Sequence, residues 1–168
     1  MVLRSATISD LKEVAFWIGT AHECERWAGW RVPFPIDSDA LPDAIGFEET
    51  NAFALVDGPQ LVGFGQLVRK ESGRGHLARL IVNPGLRGKG YGEALVRKLL
   101  EPVRTAPFER ISLNVDRSNL PAVSVYLKAG FRDATRPPDE PESRGSRYME
   151  LQKTLLRKVV APPAPPLQ

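Results

Sequence analysis

The spacing of apolar positions changes several times along the chain, and each change predicts an element. Residues 2–7 read as a short strand. Leu11, Val14, Ala15 and Ile18 then fall at helical spacing behind a cap at Thr7 or Ser9, so a helix with one buried face is expected. From Ala21 to Gly46 no period holds: Pro33, Pro35 and Pro42 punctuate a segment carrying Trp27, Trp30 and Phe34, with a short helix over Asp39–Ile45. Asn51–Val56 and Leu61–Lys70 are strand-like runs joined by the turn Asp57-Gly58-Pro59-Gln60. His76–Asn83 holds the continuous apolar stretch Leu80-Ile81-Val82, which predicts a strand covered on both sides. A glycine-rich turn follows, then a helix from Gly90 to Leu100 with Leu95, Val96, Leu99 and Leu100 on one face, closed by Pro102. Ile111, Leu113 and Val115 alternate through a half-buried strand over Arg110–Asp116. Asn119 caps a helix that ends with Gly130 at the first position past its cap, and Phe131–Ala134 and Ser146–Leu155 make a last strand pair. The segment from Arg136 to Glu142 reads as a solvated loop, and the proline-rich tail over 157–168 as disordered.

Composition narrows the class without naming a function. At 168 residues the chain accommodates one α/β domain, assigned to 1–156, with a core of ordinary size. No stretch approaches the roughly 20 apolar residues of a membrane span, and the first residues lack the apolar core of a signal peptide. Cys24 is the sole cysteine, which excludes an internal disulfide and suits a reducing cytoplasm. A net charge of +3, with 23 basic residues scattered among 20 acidic ones, gives no basic face for nucleic acid. No metal-ligating pattern is present.

The order strand, glycine loop, helix is where chemistry enters. Such a turn aims several backbone N–H groups and the positive end of a helix at one point, which makes an anion site. Glycines at 88, 90 and 92 let the backbone approach the anion, and Arg87 and Lys89 add charge. A phosphate-binding P-loop would need Ser or Thr after Lys89, where Gly90 stands. A dinucleotide fingerprint starting at Gly88 would need glycine at 93, where Glu93 stands.

Arg87-x-x-Gly90-x-Gly92, preceded by Leu80-Ile81-Val82-Asn83-Pro84, resembles the cofactor motif of the GNAT superfamily of acyl-CoA N-acyltransferases. Asn119, Tyr126 and Gly130-Phe131 resemble its second signature. The resemblance covers residues 1–156 and is strongest over 50–135. It implies an α/β (α+β) fold: a mixed, mostly antiparallel central sheet with two splayed parallel strands and helices on both faces. It implies acetyl-CoA as acyl donor, with the main chain of Leu80, Ile81 and Val82 pairing with the pantetheine arm. Arg87, Gly88, Lys89, Gly90, Tyr91 and Gly92 would hold the pyrophosphate. Asn119 would bond the arm while also capping its helix.

Tyr126 is expected to be the catalytic acid that protonates the leaving thiolate, and a core aromatic is its plainer reading. The oxyanion would meet a backbone N–H of the splayed strand. The positions where related enzymes place a glutamate hold Ala78 and Asn114, neither of which is a base. His76, Glu48, Glu49, Asp116 and the acidic residues of 21–39 remain as candidates, as does a water relay, and a surface histidine is the plainer reading of His76. Trp27, Trp30 and Phe34 would wall an acceptor site, with Glu23, Glu25 and Asp37 to attract a cation. The expected partner is an amine, a small molecule before a protein; a homodimer is left open. The competing readings are a non-catalytic acyl-CoA-binding module and an interaction domain that recruits partners through its tail.

Overall fold

The computed structural model describes residues 1–48, 50–70, 73–140 and 145–155. Its centre is one seven-stranded sheet. In chain order the strands are β1 (Val2–Ser5), β2 (Asn51–Asp57), β3 (Gln60–Arg69), β4 (Gly75–Val82), β5 (Arg110–Asp116), β6 (Arg132–Asp133) and β7 (Ser146–Gln152). Their spatial order is β1-β2-β3-β4-β5-β7-β6, and every neighbouring pair is antiparallel except β4 and β5. The helices are α1 (Ile8–Phe16), α2 (Ala21–Ala28), α3 (Leu41–Ala44), α4 (Tyr91–Val103) and α5 (Leu120–Lys128).

Period-two alternation sends the side chains of the central strands to opposite faces. Leu77, Ile111, Leu113 and Val115 join Leu95, Leu99 and Leu100 of α4 and Val123 of α5 in one apolar cluster. Space there is tight: a Cβ on Gly75 would lie 2.6 Å from Ile111 Cδ1 and 3.2 Å from Leu67 and Phe108, so any larger residue at the start of β4 would push those side chains aside. On the other face α1, α2 and α3 cover β2 and β3 through Leu11, Val14, Cys24, Leu41, Ile45 and Phe64. Thr7 caps α1 in a capping box with Asp10, which Arg4 also grips.

Five local readings are corrected by the structure. The segment 21–46 is not irregular throughout, because Thr20 caps α2 and Cys24, fully buried, anchors it. Ala21, Cys24, Trp27 and Ala28 do fall at helical spacing, but over only eight residues ended by Gly29. Burial pushes the Cys24 thiol upward, which removes it as a nucleophile. Helix α4 does not stop at Pro102 but runs to Val103, whose buried side chain holds the last turn in the core. Leu80, Ile81 and Val82 are only half-buried, because β4 loses a neighbour there. The last pair is shorter than its sequence pattern, with β6 confined to Arg132–Asp133 and β7 ending at Gln152. The loop after β6 is not solvated throughout: Glu140 is 6% exposed. The tail assigned to 157–168 and the base candidate Glu49 lie outside the described residues.

Candidate active site

Strands β4 and β5 are hydrogen-bonded neighbours only where Gly75, His76 and Leu77 face Ile111, Ser112 and Leu113. Beyond that point they part. β4 stays attached to β3 through Ala78↔Gln66, Ile81↔Phe64 and Val82↔Gly63, so its other edge from Ala78 to Val82 is a row of main-chain donors and acceptors without a strand partner. An extended polar chain can join a sheet along such an edge. The parting has a local cause. Gly65 of β3 stands alone opposite Arg79 and Leu80, a β-bulge, and Arg79 adopts a left-handed φ of 54° that few non-glycine residues take.

The splayed strand leads through Pro84–Leu86 to the glycine loop. Gly88 and Gly90 take φ values of 78° and 84°, and Gly90 is the N-cap of α4 with no side chain capping it. The first bond of the helix runs from Ala94 N–H to Gly90 O at 3.1 Å, so the N–H groups of the preceding turn have no intrahelical acceptor. Arg87 and Lys89 are exposed beside them. A diphosphate matches this cradle of uncapped N–H groups, exposed cations and positive dipole, and an extended amide-bearing arm matches the open edge of β4. Tyr91 contributes only its main chain here, since its hydroxyl donates to Asp57 Oδ2 at 3.0 Å, on the turn between β2 and β3.

Across the cleft Asn119 caps α5 by accepting from Ala122 N–H. At the other end of α5, Gly130 N–H bonds Leu127 O, and Phe131 N–H bonds Tyr126 O at 3.0 Å. This pair of bonds is a Schellman turn, which brings Phe131 back over the helix end and sets its ring edge-on to Tyr126, with centroids 6.1 Å apart. Tyr126 is 8% exposed, and among the described residues no group hydrogen-bonds its hydroxyl. Burial pushes the phenol up to about 12, so it keeps its proton throughout the neutral range.

The face of β4, β5 and β7 turned away from α4 and α5 carries polar residues. His76 is buried, contrary to its reading as a surface residue. Its Nδ1 lies 2.8 Å from Ser112 Oγ and its Nε2 3.7 Å from Glu140 Oε1. The tautomer with its proton on Nε2 turns that proton toward the carboxylate and lets Nδ1 accept from the Ser112 hydroxyl. Burial is the main cause that lowers His76 to about 4, with Glu140 opposing and Lys70, Arg74 and Arg136 assisting. Glu140 accepts from Asn114 Nδ2 at 2.8 Å and pairs with Lys70 and with the fully buried Arg74, both at 3.2 Å. Sequence reasoning missed Glu140, because a proline-bounded loop carries no period.

Helix α2 closes this face over the splay. Trp27 Nε1–H donates to Arg79 O of β4 at 2.9 Å, and Arg26 pairs with Asp116 of β5 at 3.2 Å. Trp27 also lies against Phe64, with ring centroids 6.3 Å apart. Trp30, at 83% exposure, and Phe34, at 40%, do not wall the cleft. The acids expected to attract a cation are otherwise engaged or turned outward. Glu23 Oε2 accepts from Gly19 N–H and the Thr20 hydroxyl, Asp37 accepts from Asp39 and Ala40 N–H, and Glu25 is exposed. Asp116 is held below the usual carboxylate range, first by its bonds from Ser118 and then by Arg26, which makes it a poor base. Glu48 is exposed.

Comparison with known proteins agrees with this geometry. The model of the acetyltransferase (GNAT) family matches residues 21–131. The mycothiol acetyltransferase of Corynebacterium efficiens is 31% identical over 127 residues, 71% of this chain but 41% of that protein. The aminoglycoside N(6')-acetyltransferase type 1 of Klebsiella pneumoniae is 28% identical over 84% of this chain and 79% of its own length. Among solved structures, aminoglycoside acetyltransferase AAC(6')-Ib with ribostamycin and coenzyme A superimposes with a TM-score of 0.75 at 24% identity, covering 96% of this chain and 98% of that one. The spermidine N-acetyltransferase of Vibrio cholerae with coenzyme A and spermine gives 0.73 at 19% identity, covering 92% and 96%. The open edge of β4, the uncapped glycine helix and the match across 21–131 have one meaning: the chain belongs to the acetyltransferase (GNAT) family, acyltransferases that carry an acetyl group from acetyl-CoA to an amine.

Proposed function

We propose that this protein acetylates the primary amine of a small molecule in the cytoplasm, as one domain spanning 1–156 with a proline-rich tail that takes no part in catalysis. The observation that carries the reading is the parting of β4 from β5 after Leu77, with an uncapped helix end where the free strand leads. The relatives are named for small-molecule acceptors, which favours a small amine over a protein. No helix among the described residues is long and apolar enough to cross a membrane.

Acetyl-CoA supplies the activated carbonyl and the sulfur leaving group. Leu80, Ile81 and Val82 hold the arm by main-chain pairing, and Arg87 to Gly92 hold the diphosphate. Asn119 fixes the start of α5 and faces the arm. A main-chain N–H of β4 beyond Leu77 is free to meet the developing oxyanion. Tyr126 keeps a proton on its hydroxyl for the departing sulfur. The apolar surroundings that make the phenol a weak acid also raise the affinity of a nearby thiolate for that proton, so the transfer stays matched.

No base of ordinary strength faces the splay among the described residues. His76 is too weak at about 4, and the oxygens of Glu140 are taken by Arg74, Lys70 and Asn114. The acceptor therefore reacts as the neutral amine and releases its second proton to water. kcat/KM should rise about tenfold per pH unit up to the pKa of the acceptor itself, roughly 8 for an α-amine and above 10 for an alkyl amine.

The test is release of free thiol from acetyl-CoA across a panel of small amines, with Tyr126→Phe beside the parent. The variant keeps the ring, so folding and cofactor affinity should hold while kcat falls on the order of 10²-fold, or about 2.7 kcal/mol. Parent-like turnover in the variant would remove Tyr126 from the acid role. A chain that binds acetyl-CoA yet releases no thiol with any amine would instead be a binding module.

A further inference from the structure

Arg79 sits on the bulge of β4, at the point where the strand leaves β5, and it has no carboxylate partner among the described residues. Its guanidinium lies on the face covered by α2. Nη1 donates to Gln66 Oε1 at 2.9 Å, and among the described residues neither the buried Nε nor Nη2 has an acceptor. Gln66 is itself fully buried and fixed, because its amide donates to Thr50 Oγ1 at 2.6 Å. The fork is therefore held rigidly with donors to spare. Arg31, exposed just beyond the end of α2, stacks on Trp30. It stands close enough to Arg79 that, after burial, its charge is the second cause lowering the Arg79 pKa.

A half-buried guanidinium whose Nε is buried without an acceptor is costly to leave without an anion, and one that also feels a second cation more so. Acids of α2, the segment before α3 and the end of β5 are engaged elsewhere: Asp116 with Arg26, Asp39 with Lys12, Glu23 with Gly19 N–H and the Thr20 hydroxyl, and Asp37 with the N–H groups of Asp39 and Ala40. The left-handed φ of Arg79 adds backbone strain at the same residue. The unpaired donors and the second cation share one remedy, an anion supplied from outside. Carboxylate geometry matches two donors of one guanidinium.

Building on the acetyltransferase reading above, we propose that the acceptor is an amine carrying a carboxylate, of the amino-acid or short-peptide class, and that Arg79 with Arg31 binds that carboxylate while the amine reaches the open edge of β4. Trp27, half-buried and bonded to Arg79 O, stands beside the same opening and suits an apolar body between the two groups. Polycationic amines are disfavoured by the same pair of arginines.

The test compares carboxylates with their neutral amides in two ways. Binding is measured by calorimetry in the presence of coenzyme A, using N-acetylated amino acids with apolar side chains and the matching N-acetyl amino-acid amides. Turnover is measured with the free amino acids, their amides and spermidine. The carboxylates should bind and react roughly ten- to a hundredfold better than the amides. Arg79→Asn should erase that preference, since asparagine tolerates the left-handed backbone and preserves the bulge. Arg31→Gln, at an exposed position, should reduce the preference by a smaller factor. Coenzyme A affinity should stay unchanged in both, which shows the fold intact. Equal binding of acid and amide by the parent protein overturns the proposal, as does a preference that survives Arg79→Asn. Good turnover of spermidine or of amides with no acid preference leaves the acetyltransferase standing and removes only this inference. Failure to bind acetyl-CoA would instead remove the activity itself.

Discussion

The two faces of the β4–β5–β7 sheet are built on opposite principles although they share the same strands. Toward α4 and α5 the alternate residues Leu77, Ile111, Leu113, Val115, Met149 and Leu151 close a dry cluster. On the reverse face stand His76, Ser112, Asn114 and Tyr148, with Arg74 and Glu140 brought in by loops. The dry face is non-directional and tolerates exchange among apolar shapes of similar volume. The polar face is a set of matched donors and acceptors in which each member depends on the others. The glycine loop proposed to hold the cofactor rests on the first and the proposed acceptor side on the second, so substitutions on the two sides should fail in different ways.

The sharpest contrast comes from Arg74→Met. It leaves Glu140 buried beside Lys70 without its inner cation, and breaking such a buried pair costs about 3–5 kcal/mol. Chemical denaturation should show that loss, and the double variant Arg74→Met/Glu140→Gln should recover part of it. Recovery would identify the cost as stranded charge and not lost packing. Leu99→Ala on the dry face should cost a comparable 2–5 kcal/mol by leaving a cavity, yet with no change in the salt or pH dependence of stability.

Acidification separates the faces further. His76 titrates near 4 when folded, against 6.5 when unfolded, so the unfolded chain takes up the proton first. Stability is therefore complete above about pH 6.5 and falls as pH drops toward 4, by on the order of 3 kcal/mol. His76→Gln should flatten that limb of the stability curve; an unaltered limb would assign the acid sensitivity to the paired carboxylates. The smallest of these effects concerns the cradle. Acetyl-CoA at 100 times its dissociation constant should stabilise the parent by about 2.7 kcal/mol, and Gly90→Val should abolish the shift. Open space surrounds the missing Cβ of Gly90, so the damage there comes from its φ of 84°, which valine resists. A retained shift would move the diphosphate away from this loop.

The dry face and the cradle were legible in the sequence because each has a period or a spelling. Leu95, Val96, Leu99 and Leu100 announce one side of a helix, and the glycines at 88, 90 and 92 announce a tight turn opening it, in which Gly88 and Gly90 take left-handed φ. The caps at Thr7 and Asn119 and the turn at Gly130 were equally plain, being set by neighbours in the chain. The polar face was not legible. Glu140 meets Asn114 across 26 residues and Arg74 across 66, and no local rule connects them. His76 looked like a surface residue because its burial comes from that distant loop. The bulge at Arg79 left no mark either, since its backbone conformation would ordinarily call for glycine or asparagine.

Strand β4 is shared between two owners along its length, with one edge committed to β3 throughout and the other released after Leu77. In the free protein, the amides of Ala78 to Val82 that do not bond to β3 should exchange their hydrogens with solvent within short times, like those of a sheet margin. Occupancy by an extended acyl carrier should slow them as if an eighth strand had been added. Isotope exchange along this one segment would thus read out cofactor engagement with no acceptor amine present.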